Sequence, residues 1–489
     1  MTGPGIKLKD LMGWGMLAWL WVASLMAAGD DLRLLEAVQR GDLVAVLSLL
    51  QQQADVNGTR ADGETALHWA AYRNDLETAQ ILIGGDARVD AANEYGITAL
   101  SLSCTNRSDP MVRMLLEAGA KPNAAQSTGE TVLMTCARTG SLTAVRLLLE
   151  KGADPNGRET RWRQTALMWA LASGHSQVAR TLIEHRADIN ARSIGGFTPL
   201  LFAVQQNDLD SVRLLLAKGA DLNYATEDHG NALTVASASG HEELGLFLLE
   251  QGAETDRPDA HGVTALHYTM AQGLSLINSL NYDPAYRVVP PSMHDLAKAL
   301  LAKGANPNAR IITRLRLGPD DPSTGMGMEG ATPFFLAALG GDAEMMRFMV
   351  EHGADHTVTA KGDTTSLMAA AGAARGVTQG TLKQRLGKPE EAVRVMVKLG
   401  ADVHATRENG QTALHAAAFA GENEVVEYLV DHGAEVEIED NIGQTPWSMA
   451  IGISPALGSR GSYGSHPDTA DLLLKLGAKP RSREDMKIE

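Results

Sequence analysis

Histidines, cysteines and one glycine-rich stretch are the residues of this 489-residue chain whose types could support chemistry. His68, His267 and His415 each stand three residues after a threonine, Thr65, Thr264 and Thr412. A metal centre would want a partner at His-Glu-x-x-His or Cys-x-x-Cys spacing, and neither accompanies them. Their shared setting points to a structural task. Cys104 and Cys136 are too few for a disulfide scaffold, and neither has a base beside it in sequence. They fall at nearly matching places in consecutive units, one residue out of step. Neighbouring helices sit roughly 8–10 Å apart, whereas a disulfide needs its Cα atoms within about 7 Å. Two separate buried thiols are therefore expected, with a bridge as the alternative. Gly325-Met326-Gly327-Met328-Glu329-Gly330 matches Gly-x-Gly-x-x-Gly but follows a loop containing Pro and Asp. A dinucleotide fingerprint needs a strand there, so no nucleotide is expected. The stretch from Gly458 to Ser465 lacks a Gly-x-Ser-x-Gly elbow and reads as a loop. Carboxylates are plentiful, with no pair singled out. The chain predicts no catalytic residues, no metal and no cofactor.

The elements that would carry these residues come from a repeat. A Thr two residues before a large apolar residue recurs at Thr65, Thr98, Thr131, Thr165, Thr198, Thr264, Thr332, Thr365, Thr412 and Thr445, and Asn231 fills the missing slot. Most intervals are 33 or 34 residues. A Gly-Ala pair recurs near the end of most units, from Gly119-Ala120 to Gly477-Ala478. The Thr hydroxyl can accept a free amide of a helix's first turn, which makes it an N-cap. Pro199, Pro333 and Pro446 occupy the first helical position, where a missing N–H costs nothing. A short helix with small residues follows, then a turn and a second helix with apolar residues at helical spacing, such as Val145, Leu147, Leu148 and Leu149. The glycine after it suits a left-handed C′ position, and an Asp/Asn-rich turn such as Ala153-Asp154-Pro155-Asn156 leads onward.

With Gly63-Glu64-Thr65-Ala66-Leu67-His68, Gly262-Val263-Thr264-Ala265-Leu266-His267 and Gly410-Gln411-Thr412-Ala413-Leu414-His415, the chain strongly resembles the ankyrin-repeat family. Eleven units match in full or part, and a twelfth, Asp31 to Asn57, keeps Ala54-Asp55-Val56-Asn57 as an end cap can. The resemblance implies an all-α repeat solenoid of about 12 ankyrin repeats, each a helix-turn-helix with a β-hairpin-like finger, in a curved elongated stack. It implies that the three histidines hydrogen-bond between units. It also places variable contact positions beside the finger glycine and after the Ala-Ala step. Here these include Tyr72, Arg73, Tyr95, Arg138, Trp162, Arg163 and Phe197. Arg and aromatic residues dominate hot spots, and such a patch would suit an anionic or acidic partner surface. Trp69, Trp169, Phe202 and Tyr268 lie one step inside and read as packing.

Four units carry insertions, near residues 274–292, 311–329, 375–388 and 454–466. Long loops in a repeat array often map to a binding face, though lengthening a surface loop costs little. Tyr282 and Tyr286 in the first are suitable contacts.

The amino terminus differs in kind. Lys7 and Lys9 precede an apolar run from Leu11 to Met26, followed by Ala27-Ala28-Gly29 and the pair Asp30-Asp31. That order describes a secretory signal over residues 1–29, and the run is shorter than the about 20 residues a membrane span needs. The alternative is an uncleaved inner-membrane anchor. Residues 30–480 then form the solenoid and 481–489 a charged tail. The mature protein is expected outside the cytoplasm, most simply in a bacterial periplasm, touching membrane only if the segment stays uncleaved. Against 43 Lys+Arg stand 59 Asp+Glu, a formal charge of −16, which disfavours sequence-blind nucleic-acid binding. The expected function is a non-enzymatic scaffold binding a protein partner through its groove and loops; the alternatives are a complex organiser tethered at the inner membrane and an enzyme or ligand carrier with its site in the carboxy-terminal insertions.

Overall fold

Helices this short do not persist alone in water, so their packing has to supply the stability. The computed structural model describes residues 32–270, 293–312, 329–372, 387–452 and 465–481. The segment 1–29, most of each insertion and of the tail, and with them Tyr282 and Tyr286, lie outside the described residues. Within those residues the chain folds into 24 α-helices forming twelve consecutive pairs, with isolated bridges as the sole β-structure. Contacts divide it into an amino-terminal unit ending at Thr226 and a carboxy-terminal unit starting at Glu227.

Each pair repeats one local logic. Thr98 is extended, and its Oγ1 accepts the Ser101 amide at 3.2 Å. Asn231 performs the same task in its own repeat, accepting the Thr234 amide at 3.0 Å. The first helix that follows is buried almost all round; in Ala166–Ala172 the residues Ala166, Leu167, Met168, Ala170 and Leu171 are inaccessible. The second helix buries one stripe, Ala144, Val145, Leu148 and Leu149 in Leu142–Glu150. Gly152 ends that helix with φ 87°, and nothing lies within 4 Å of a Cβ placed there, so its conformation rather than crowding selects glycine.

Fingers are tied from one repeat to the next by amide side chains. Asn123 Nδ2 donates to the Gly152 carbonyl at 3.0 Å, and its Oδ1 accepts the Asp154 amide at 2.7 Å. Asn156 repeats this on Arg186 and Asp188, and Asn308 on Gly353 and Asp355. A side chain with both a donor and an acceptor is needed to satisfy both groups, which accounts for the recurrent asparagine. The fingers close on single bridges, Thr59 with Thr65, Ala92 with Thr98 and Ala125 with Thr131.

The cysteines depart from expectation. Cys104 and Cys136 form a disulfide, with Cα atoms 4.7 Å apart and both residues fully buried. Two physical facts overturn the separate-thiol reading. The first helices carry small residues at this step, Ala70 and Ala71 before and Ala170 after, so neighbours approach far closer than generic helices. Moreover, each helix turns one face to the preceding repeat and another to the following one. A cysteine six residues after its Thr therefore meets one placed five residues after the next. The offset of one residue is what aligns them.

Candidate functional site

The histidines are settled by their hydrogen bonds. His68 Nδ1 accepts the Thr65 amide at 3.1 Å, which leaves the proton on Nε2 to donate to the Ile97 carbonyl of the next repeat at 2.9 Å. His415 bonds the Gln444 carbonyl at 3.1 Å in the same manner, and His267 the Ala331 carbonyl at 3.4 Å. Burial lowers all three below the ordinary histidine value, His267 to about 4. They are inter-repeat links, as the resemblance implied. Tyr268 donates to Asp259 Oδ2 at 2.5 Å, and burial first, then the Asp259 charge, holds its phenol protonated. Among the described residues no group of three or more His, Cys, Asp or Glu could hold a metal ion. No described helix is long and apolar enough to cross a membrane.

A concentration of guanidinium groups and rings lies in the amino-terminal unit. Trp69, on the helix Ala66–Tyr72, is half-buried with Arg60 5.5 Å above its ring and Tyr72 edge-on at 5.6 Å. Tyr72 is 48% exposed. Glu64 stands beside them with its carboxyl raised, chiefly by burial and then by Asp62, while Arg60 and the Trp69 indole oppose. Arg73 is exposed but anchored, since its Nη1 donates to the Gln39 carbonyl of the preceding repeat at 3.1 Å. Arg138 lies 5.4 Å over the Trp169 ring and 3.6 Å from Glu130. Arg138 Nε and Trp169 Nε1 are buried donors without acceptors.

The remaining positions lie on fingers. Tyr95 is 57% exposed at a tip, its backbone N–H bonded to Asn93, and Glu94 raises its phenol. Trp162 is half-buried, with Arg161 5.3 Å over its ring, and its carbonyl accepts the Ile194 amide of the next finger at 2.8 Å. Arg163 is exposed with φ 57°. Phe197 is half-buried and packs edge-on against Phe202 at 5.3 Å. Phe202 and Tyr268 are buried packing residues; Trp69 and Trp169 instead offer ring faces capped by arginine. The structure thus joins Tyr72 to Trp69 and Arg138 to Trp169, leaving Tyr95 apart on its own finger. Sequence reasoning missed Arg60, Arg161 and Arg192, the last lying over the Tyr224 ring at 4.1 Å. The visible sign was an arginine beside tryptophan in Arg161-Trp162-Arg163.

Comparison with known proteins places these features. A family model described as ankyrin repeats in three copies matches residues 34–126, 122–193, 200–311 and 384–484, and a single-repeat model matches 329–362. Similar proteins include the Caenorhabditis elegans ankyrin repeat and KH domain-containing protein mask-1, 30% identical over 30% of this chain and 5% of that protein. The mouse B-cell lymphoma 3 protein homolog is 37% identical over 21% of this chain and 23% of its own length. A probable E3 ubiquitin-protein ligase XBOS33 of Oryza sativa subsp. japonica is 32% identical, with 42% of each chain covered. The chain therefore spans less than half the length of these relatives. They are animal and plant proteins, and the matches offer nothing for export or a bacterial source. Matched by repeat models over most of its length, the chain belongs to the ankyrin-repeat family.

Proposed function

We propose that this protein is a scaffold that holds a protein partner on the fingers and first helices of its amino-terminal unit, working in an oxidising compartment outside the cytosol. The observation that carries the binding reading is the set of arginine-capped rings, Trp69 under Arg60, Trp162 under Arg161 and Trp169 under Arg138. Such pairs combine large apolar faces with directional donors, the composition that dominates interface hot spots. Beside these rings Arg138 Nε and Trp169 Nε1 are buried donors without an acceptor among the described residues. Export is supported by the Cys104–Cys136 bridge, since reducing compartments keep thiols free, and by the basic, apolar and small-residue order of residues 1–29.

The test pairs affinity with fold. Affinity capture from the exported-protein fraction isolates the partner, whose binding is then measured with Trp162→Ala/Arg163→Ala. The double variant weakens binding by more than about 2 kcal/mol, roughly thirty-fold, with an unchanged circular dichroism spectrum. Equal affinity would remove this face from the binding surface. Intact mass of the mature chain checks export: loss of about 29 residues is expected, and retention would favour a tethered protein.

A further inference from the structure

The fourth finger differs from its neighbours in the amino-terminal unit in three ways. Thr165 follows Thr131 by 34 residues, whereas the two preceding intervals are 33, so this finger is one residue longer. In the second finger Asn93 Oδ1 organises the turn by accepting the amides of Tyr95 and Ile97, at 3.0 and 2.9 Å. The wider fourth turn uses a longer acid, Glu159, which accepts the amides of Arg161, Trp162 and Gln164 at 2.6, 2.8 and 2.8 Å. That carboxylate is 4% exposed, so its charge is engaged in building the turn.

The third departure is Arg163. Two residues before the capping threonine, the neighbouring fingers place Gly63, Gly96, Gly129 and Gly196 in the left-handed region. At Gly96 a Cβ would come within 2.9 Å of the Ala125 carbonyl of the next finger. In the fourth finger this position is Arg163, at φ 57°. A left-handed backbone is less favourable for any residue with a Cβ than for glycine, so the fold alone would select glycine here. The chain accepts the same cost at Arg107 (φ 56°) and Arg186 (φ 67°) in its helix-end turns, so what sets Arg163 apart is an exposed guanidinium at a position its neighbouring fingers give to glycine.

Its surroundings define what it contacts. Arg161 lies over Trp162, and Arg192 of the next finger lies 4.1 Å over the Tyr224 ring. Arg158 reaches the Arg192 carbonyl at 3.3 Å, which joins the two fingers. Among the described residues Arg161, Arg163 and Arg192 make no ion pair, and three acids of the neighbouring turns are held by other groups. Asp188 pairs with Arg158 at 3.8 Å, Glu130 with Arg138, and Glu159 with its own turn. Three unpaired guanidinium groups interleaved with two rings form a cationic strip on a chain of net charge −16. Screening confines each charge's influence to about 8 Å, so such a strip attracts a short extended segment more readily than an acidic globule, which the rest of the chain repels.

We infer that the fourth and fifth fingers read an extended acidic segment of a partner protein, with Arg163 as a specificity-determining contact. The inference rests on the scaffold reading above. Carboxylates pair with guanidinium forks through directional, charge-assisted bonds, and Trp162 supplies an apolar face for the segment's aliphatic stems.

Fluorescence anisotropy on the full mature chain tests it with three labelled twelve-residue peptides, alternating Glu-Ala, Gln-Ala and Lys-Ala, and with an oligothymidylate of twelve nucleotides. The Glu-Ala peptide binds at least ten-fold more tightly than the others, and its binding weakens as salt rises. Arg163→Gly lowers that affinity at least five-fold while the thermal midpoint stays equal or rises. Equal binding of the Gln-Ala peptide, tighter binding of the oligothymidylate, or a lowered midpoint in Arg163→Gly would each overturn the inference. If Trp162→Ala/Arg163→Ala loses the native partner while the wild type ignores the Glu-Ala peptide, the acidic-segment inference fails and the scaffold reading stands.

Discussion

Replacing both cysteines with alanine isolates the contribution of the Cys104–Cys136 bridge. The native structure should accept the change, because other repeats place alanine at this step, Ala70 and Ala71 or Ala417 and Ala418. The effect then lies in the unfolded chain. A bridge across a sequence separation of 32 removes loop entropy worth about 3.7 kcal/mol at 25 °C in the chain-entropy model. That is a large share of the roughly 5–15 kcal/mol by which a typical domain is stable. In a repeat array the loss stays local, since each unit contacts its neighbours only. Urea unfolding of wild type, reduced wild type and the double variant measures it, and native-state hydrogen exchange locates it. The helices Ala99–Thr105 and Val132–Thr139 should lose most protection, and reduction and mutation should act alike. A loss below about 1 kcal/mol, or one spread evenly through the carboxy-terminal unit, would refute the entropic argument.

Two further perturbations address the buried polar links. His267 is held neutral, with its value lowered from about 6.5 to about 4, so the unfolded chain binds the proton more readily below pH 6.5. Its contribution is therefore fully present above about pH 6.5 and is lost as pH falls toward 4, with His68 and His415 acting in the same direction. Thermal midpoints of wild type against His267→Gln should converge on acidification, and parallel curves would contradict this. Tyr268→Phe leaves Asp259 Oδ2 buried without its donor and should cost about 1–3 kcal/mol in chemical unfolding. Asp259 Oδ1 still organises the finger through His261 and Val263, so the spectrum should not change. A cost below about 0.5 kcal/mol would show that water replaces the phenol.

Much of this protein is a matter of short-range order, and short-range order is written in sequence. The capping threonines, Pro at the first helical position and the C′ glycines act within a few residues of themselves, so their recurrence alone defined helices, turns and repeat count. The histidine links were legible because Thr-x-x-His recurs in three repeats of a chain that resembles the ankyrin-repeat family. What the sequence could not decide is which face of one helix meets which face of its neighbour. Generic helix spacing argued against the Cys104–Cys136 bridge; the close approach allowed by small side chains, and the one-residue offset between forward and backward faces, brought the sulfurs together. Side-chain capture was equally hidden. Arg73 is anchored to Gln39, and Arg138 to Glu130 and Trp169, by partners 31 to 34 residues away or, for Glu130, eight residues earlier on the preceding finger, whereas Arg163 is left exposed on a turn built by Glu159. Local sequence determined the stack, because each repeat encodes its own hydrogen bonds; only the tertiary structure decided which arginines remain available to a partner, because that depends on carboxylates and rings delivered by neighbouring repeats.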